Sequence, residues 1–592
     1  MTNRQPDSGA PARGLKRIDG RWLLVAAAVV IVGVVAWRSS LGMSLSDDGY
    51  YAAATVRLAQ GARLFVDEMY LQSLGFLAAI PFAKVWLWLF GTTGIVLALR
   101  LFYVAVATVA ATFVYRVLHR SFGRTASFAG AVAVFIAPAY NLLAVSYDTM
   151  AALGMVLACV LSFAALRDGK RRYAVIAGAF AAFAAVSYPP FVLAAFALLI
   201  TLAVRGRGRR LVGAMALGAA GVVGALLAWL LVTTSFAELR AAYDFITTIW
   251  RGSANEPAQG PRVLTHLQDL VAALSMTYRH VPVVVWFAPA GAISLWTTYS
   301  LRVPKHTRMR GIALALLPVA LLIPAIVYWL AFRHPLTSLK TIGGNLLIEF
   351  VLFAAVPMYA SLRGARTDAR RDLALISLPA ALVGFAVVLL WSSADIFWAS
   401  GVVGLAPLIV AAVVWWAVEV RGALGSRMEA LAVASLLFAL LVLLFGYAFK
   451  TSSPVNMPVP VTSGAYAGMR IGEGRALQVA AIGRISHEWI GPTTTVTSVG
   501  LPGAYLLTGG VPLTNVTWLD PGSFDQSTVD YLDRAGRWPD VVVVDLWRLS
   551  DPEQYEGSVF LAAVRSNYTF VESSQVASMA VFVSRGLKPV NP

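Results

Sequence analysis

LGMSLSDDGYYAAATVRLAQGARLFVDEMYLQ, residues 41–72, follows directly on the first apolar run, Trp22 to Trp37, and carries two acidic pairs, Asp47 with Asp48 and Asp67 with Glu68. Tyr50, Tyr51, Arg57 and Arg63 lie between them. Only 13% of the chain is charged, so four carboxylates this close to a membrane boundary point to chemistry there.

Composition sets the solvent in which that boundary exists. With 58% hydrophobic residues among 592 and a mean hydropathy of +0.72, the chain reads as a polytopic membrane protein. Its net charge of +17 would suggest nucleic acid on a soluble domain, so location matters before sign. From Thr451 onward there are nine Lys+Arg against twelve Asp+Glu, leaving 38 against 18 in the first 450 residues. The excess belongs to the membrane part, where basic loops report orientation, and nucleic-acid binding is excluded as a reading. Cys159 is the sole cysteine and sits in an apolar run, so no disulfide framework or thiol metal site is expected. The tail before Arg21 is polar, basic and rich in Pro and Gly, and reads as a disordered cytoplasmic segment (residues 1–21). Trp22 to Trp37 reads as a retained span rather than a signal peptide.

Basic clusters at 116–124, 167–172, 205–210, 302–310, 363–371 and 421–427, with the N-terminal tail, hold 26 of the 38 basic residues before Thr451. Placing all of them in the cytoplasm forces each interval between clusters to cross an even number of times. Spans are expected near 125–140, 148–166, 173–187, 191–204, 211–234, 281–300, 311–331, 345–362, 373–392, 401–420 and 429–449, with a long polar outer loop from Ser235 to His280. Ser73 to Tyr115 is long enough for two crossings where parity allows one. Leu74 to Phe90 is therefore expected to lie along the outer surface, with the crossing at Ile95 to Tyr115. The sum is about thirteen spans in a membrane domain over 22–450, its first outer loop being 41–94.

After Lys450 the composition becomes that of a soluble extracytoplasmic domain, 451–592. Helices are predicted at 476–489, 527–536 and 555–567, strands at 493–500 and 540–546, and a hairpin from 568–571 and 577–584. This alternation predicts a small α/β layer domain.

A carboxylate beside a membrane surface is suited to deprotonating an acceptor hydroxyl while nearby cations hold a lipid phosphate. Side chains of adjacent residues diverge, so Asp47 and Asp48 need not share a role. One is suited to act as base and the other to orient it or bind the acceptor; the bland reading makes Ser46 to Asp48 a helix start.

The run SDDGYYAAATVRLAQGARLFVD resembles the first extracytoplasmic loop of GT-C superfamily glycosyltransferases, in particular the protein O-mannosyltransferase and lipid A aminoarabinose transferase group. WLFG (residues 88–91), Arg100, the HRSFGR turn and Ser146-Tyr147-Asp148 follow the order of that family. The resemblance implies a GT-C fold, Asp47 as catalytic base, Asp48 in place of a Glu, Tyr51 at a recurrent Tyr, and Asp148 as a second acidic site. It also implies a polyprenyl-phosphate sugar donor and an envelope glycan, lipoglycan or protein as acceptor. The family's Lys-Pro or His-Pro-Pro motif has no counterpart in Tyr70-Leu71-Gln72-Ser73-Leu74-Gly75. Either the donor sits differently or lipid phosphate is held by other outer-face cations, for which Arg57, Arg63, Lys84, Arg251, Arg279, His280, Arg333 and Lys340 are the candidates.

Asp148 alternatively reads as a helix N-cap, and Glu349 in an apolar span is a functional suspect or an ion-pair partner. Asp244, Trp250, Arg251 and Asp269 are candidates to line a groove in the outer loop. His266, His280, His306 and His334 lack zinc-ligand spacing, so no metal is expected to be required; Asp47, Asp48 and Asp148 would hold Ca²⁺ or Mg²⁺ weakly. The competing classes are a lipid or polysaccharide transporter, which predicts midplane charges and inverted repeats, and a non-catalytic envelope scaffold.

Overall fold

A computed structural model of the chain describes residues 20–136, 143–205, 208–251, 283–301, 303, 306–332, 350–351, 353–361, 369–391, 401–446, 456–520, 525–546, 558–574 and 579–590. Residues 345–349, 352 and 362 of the expected span at 345–362 lie outside these residues. So do Asp269, Arg279, His280, Arg333, Lys340 and Glu349, and the side chains of Trp250 and Arg251.

The apolar runs form helices: α1 (Gly20–Ser39), α4 (Ile95–Phe122), α5 (Arg124–Ile136), α6 (Tyr147–Asp168), α7 (Arg171–Ser187), α8 (Val192–Ala203) and α9 (Arg209–Thr233). Before α4 come α2 (Asp47–Ala59) and α3 (Ile80–Phe90); after α9 comes α10 (Phe236–Arg251). The membrane part continues with α11 (Val283–Ser300), α12 (Thr307–Phe332), α13 (Ala369–Trp391), α14 (Gly401–Leu424) and α15 (Ser426–Gly446). Among the described residues, seven helices are long and apolar enough to cross a membrane. The centre of the bundle is α6 and α14, each with 94% of its apolar window buried, whereas only 17% of α9 is covered. A helix apolar on every side can afford that central position.

Two regions bear on the first outer loop. Leu71–Ala79 is a 3₁₀ segment running into α3, and by length alone the combined run would also suffice to cross. Its two ends, however, meet the same C-terminal domain: the Met69 amide donates to the Asn515 carbonyl at 2.9 Å, and the Gly94 amide to the Gly464 carbonyl at 3.0 Å. Both ends of the segment are thus held by one domain. Lys84, Val85 and Trp88 on α3 are exposed. The second region corrects the sequence reading: Ser235 onward, expected as polar loop, opens as the amphipathic helix α10. The Ser235 hydroxyl accepts from the Glu238 amide at 3.3 Å, and the Ser235 amide donates to Glu238 Oε2 at 2.8 Å. This is a capping box, and Leu239, Ala242 and Ile246 form the stripe that covers Leu58, Leu64 and Phe65.

The C-terminal domain is built on a five-stranded mixed sheet. Its strands are β3 (Thr495–Val499), β4 (Val511–Pro512), β5 (Val541–Asp545), β6 (Tyr568–Ser574) and β7 (Met579–Ser584), in the order β4-β3-β5-β7-β6. The continuous apolar run of β5 marks a strand covered on both faces, and it pairs parallel with β3 and antiparallel with β7. The predicted hairpin forms as β6 and β7. Helices α16 (Glu473–Trp489), α17 (Asp525–Arg534) and α18 (Val559–Asn567) complete the domain. A separate ribbon, β1 (Val459–Pro460) with β2 (Arg470–Ile471), ties it to the end of α1, since the Arg470 amide donates to the Ser40 carbonyl at 2.8 Å and its carbonyl accepts from the Gly42 amide at 2.9 Å.

Close backbone approach sets the packing of α7 on α9. A Cβ on Gly178 would lie 1.8 Å from the Met215 carbonyl oxygen, which no rotamer can relieve. Gly178→Ala is expected to force the two helices apart at a cost of about 1–3 kcal/mol, read as a lowered thermal midpoint of the detergent-purified protein.

Candidate functional site

The site starts at the N-terminus of α2, where a turn made by the Ser44 and Ser46 hydroxyls, 2.7 Å apart, precedes the helix. Asp47 and Asp48 occupy its first turn, where the exposed amides of a helix favour negative charge. Helical period then separates them. Asp47, Tyr50, Tyr51 and Ala54 share a face at spacings of three, four and seven. The latter three pack with Phe76 and Ala144, and Tyr147 and Trp518 lie against them.

Asp48 turns to the other side, toward α1 and α4. Arg100 Nε donates to Asp48 Oδ1 at 3.2 Å and Nη2 bonds Oδ2, a bidentate pair whose members are 7% and 2% exposed. Arg100 Nη1 also donates to the Ser39 carbonyl at 2.7 Å. Arg38 joins the same knot, its Nη1 donating to the Leu41 carbonyl at 2.9 Å and its Nε to the Leu444 carbonyl at 3.0 Å. Asp48 is therefore fixed, on the side of α2 away from the aromatic cluster.

Asp148 sits in the first turn of α6 but is not its cap. That role falls to Ser146, whose hydroxyl accepts from the Thr149 amide at 3.2 Å while Thr149 Oγ1 accepts from the Ser146 amide at 3.1 Å. Asp148 is buried, and its Oδ2 makes no hydrogen bond among the described residues. It lies within electrostatic reach of Asp47. Tyr147 beside it packs edge-on to Tyr51 at 6.0 Å and stacks on Tyr188, from the Pro-Pro corner, at 5.5 Å. Tyr50 and Tyr51 beside Asp47, and Tyr147 beside Asp148, thus belong to one aromatic cluster.

The second acidic pair does something the sequence did not announce. Glu68 is fully buried and grips the C-terminal domain: the Thr517 amide donates to Oε2 at 2.8 Å, and the Thr517 hydroxyl bonds the same oxygen. Arg57 Nη1 lies 3.6 Å from that oxygen, and Arg57 Nη2 bonds the Thr514 carbonyl. Ser73 bridges Glu68 Oε1 to the Tyr50 phenol, both contacts at 3.2 Å. Burial pushes the Glu68 carboxyl and the Tyr50 phenol above their ordinary ranges, although Arg57 and the Thr517 and Ser73 donors oppose this at Glu68. Asp67 accepts from the Tyr531 hydroxyl at 3.2 Å. Next to these contacts, Gly49 meets Gly503 so closely that a Cβ on Gly49 would lie 2.7 Å from the Gly503 Cα.

These placements redistribute the phosphate-binding candidates. The Arg57 guanidinium is buried and committed to the tail domain, whereas Arg63 pairs with Glu238 at 3.1 Å on the surface. Lys84 is exposed on α3. Asp244 lies on α10, where its backbone carbonyl accepts from Thr247 and Thr248. Among the described residues no three His, Cys, Asp or Glu side chains come together as ligands for a metal ion. With Asp48 turned to Arg100, the weak three-carboxylate cation site expected at Asp47, Asp48 and Asp148 does not assemble. Arg100, Tyr188, Thr517 and Trp518 were not among the sequence candidates. Only Arg100, an ionisable residue in an apolar run, carried a signal of its own.

Residues 81–233 match the family described as dolichyl-phosphate-mannose-protein mannosyltransferase. The matched segment contains Arg100 and Asp148 and begins after Asp47 and Asp48. No curated protein sequence matches. Among solved structures, ArnT from Cupriavidus metallidurans bound to undecaprenyl phosphate is similar with a TM-score of 0.42 and 14% identity, covering 96% of this chain and 99% of that one. Its apo form gives 0.40 and 13%, covering 95% and 97%. The arabinosyltransferase EmbB from Mycobacterium smegmatis gives 0.32 and 19%, covering 75% of this chain and 43% of that one.

The Arg57–Glu68 contact yields a direct test. Arg57→Met leaves Glu68 buried without its cation and is expected to cost about 3–5 kcal/mol, whereas adding Glu68→Gln restores part of the loss. Thermal midpoints of the two single variants and the double variant measure that coupling.

Proposed function

We propose that this chain is a membrane glycosyltransferase of the GT-C superfamily, and that it moves one sugar from a polyprenyl-phosphate donor to an acceptor hydroxyl at the acidic loop. The family description names a polyprenyl-phosphate sugar, which supports the donor class. The acceptor is a hydroxyl of an envelope glycan, lipoglycan or protein.

One observation carries the mechanism: of the two adjacent acids, Asp48 is bound bidentate by Arg100, whereas Asp47 shares its helix face with the aromatic cluster that Asp148 adjoins. Asp47 is the base. It takes the acceptor proton as the acceptor oxygen forms its bond to the anomeric carbon. The bond from that carbon to the phosphate oxygen breaks, and the electron pair leaves with polyprenyl phosphate. A single displacement inverts the anomeric centre. Asp48 is a positioning residue that fixes the first turn of α2 through Arg100, and Asp148 orients the acceptor or the sugar. Lys84 is the described outer-face cation left to meet a lipid phosphate, with Arg251, Arg279, His280, Arg333 and Lys340 as further candidates.

Charge distribution supports the side on which this happens. The opposite end of the bundle carries the basic clusters, including Arg310 at 3.4 Å from Glu419, Arg370 on the same acid, and Arg205 on Asp372. By the positive-inside rule that end faces the cytoplasm of a plasma-membrane protein, and the acidic loop and tail domain face outward.

The test uses the full chain reconstituted in liposomes with radiolabelled polyprenyl-phosphate mannose and arabinose in parallel and envelope membranes as acceptor. Asp47→Asn is expected to lower transfer by about 10²–10⁴-fold at an unchanged thermal midpoint, and Asp48→Asn to lower both. Transfer by Asp47→Asn at the wild-type rate would remove the assignment.

A further inference from the structure

The aromatic cluster contains one member that the membrane domain does not supply. Trp518 comes from the C-terminal domain, and its ring packs edge-on to Tyr50 at 5.5 Å, one helical turn from Asp47. Its neighbours are clamped. Thr517 before it is 1% exposed and held by Glu68, and Leu519 after it is fully buried, its carbonyl accepting from the Gly500 amide at 2.8 Å. Between these two fixed residues Trp518 is half-buried.

Trp518, half-buried in an anchored segment, packs against the aromatic cluster and keeps surface for contact with a ligand. The chemistry that matches is carbohydrate. A sugar ring presents a face of C–H groups, apolar and weakly positive, to the negative face of an indole, while its hydroxyls reach the acids alongside. Because its neighbours are already immobile, ordering the indole costs little on binding.

We propose that Trp518 is a sugar-binding residue of the active site, stacking on the glycosyl ring of the acceptor, so that the C-terminal domain contributes directly to substrate selection. The proposal deepens the transferase reading and rests on it for the role of the bound sugar. Glu68, Arg57 and Thr517 are then positioning residues, which set the height of the indole above the Asp47 face.

The test is saturation-transfer difference NMR on the full chain in detergent with methyl α-D-mannopyranoside, methyl α-D-arabinofuranoside and methyl β-D-galactofuranoside as probes. At least one glycoside is expected to receive saturation from the wild type. Trp518→Leu, which keeps apolar packing but has no aromatic face, is expected to lower that signal at least fivefold, and Trp518→Phe to retain at least half of it. Thermal midpoints and protease resistance of the tail are followed in parallel. The proposal falls if the wild type saturates none of the three, if Trp518→Leu keeps the signal, or if both variants lose it together with tail docking. Sugar transfer by Asp47→Asn is measured separately. Should that variant still transfer sugar, the catalytic assignment fails while the binding result stands.

Discussion

The bidentate pair between Asp48 and Arg100 is the constraint on which the site depends. Two carboxylates next to each other in a helix point about 100° apart, so they cannot address the same target. Arg100, emerging from an apolar helix, needs a counter-charge, and Asp48 is the one within reach. Once that pair forms, the rotation of α2 about its axis is set. Asp47 is then delivered to the aromatic face together with Tyr50 and Tyr51. A fixed acid costs nothing to reorganise when a proton has to move.

The C-terminal domain reaches the same place from the other end of the chain. Its Thr514–Trp518 segment is held by a buried Glu–Arg pair whose remaining hydrogen-bonding capacity is met by two hydroxyls and a backbone amide. Such a pair is poor evidence for stability, since desolvation consumes much of the attraction, but it is directional. It fixes where the segment sits, and the Gly49–Gly503 contact fixes how near. The membrane-boundary loop therefore has a floor of helices and a roof of folded domain, with α10 along one side.

Much of this arrangement was legible locally. Apolar runs gave the helices, and β5 announced itself through four consecutive valines. The divergence of Asp47 and Asp48 followed from adjacency alone, but which of them turned inward depended on Arg100, 52 positions away. Glu68 and Arg57 resembled catalytic or phosphate-binding groups for the same reason. Their partner lies 449 positions on, and nothing near Thr517 signals a buried acid. The capping box at Ser235 was readable in four residues, and polarity around it concealed the helix.

That long separation has a consequence for how the protein comes into being. Glu68 leaves the ribosome 449 residues before Thr517, and α3 to α15 are made between them. Until the C-terminal domain has folded, the loop lacks its roof and Glu68 lacks the two Thr517 donors. A nascent chain therefore carries a half-formed site, and docking of the C-terminal domain is the step that completes it.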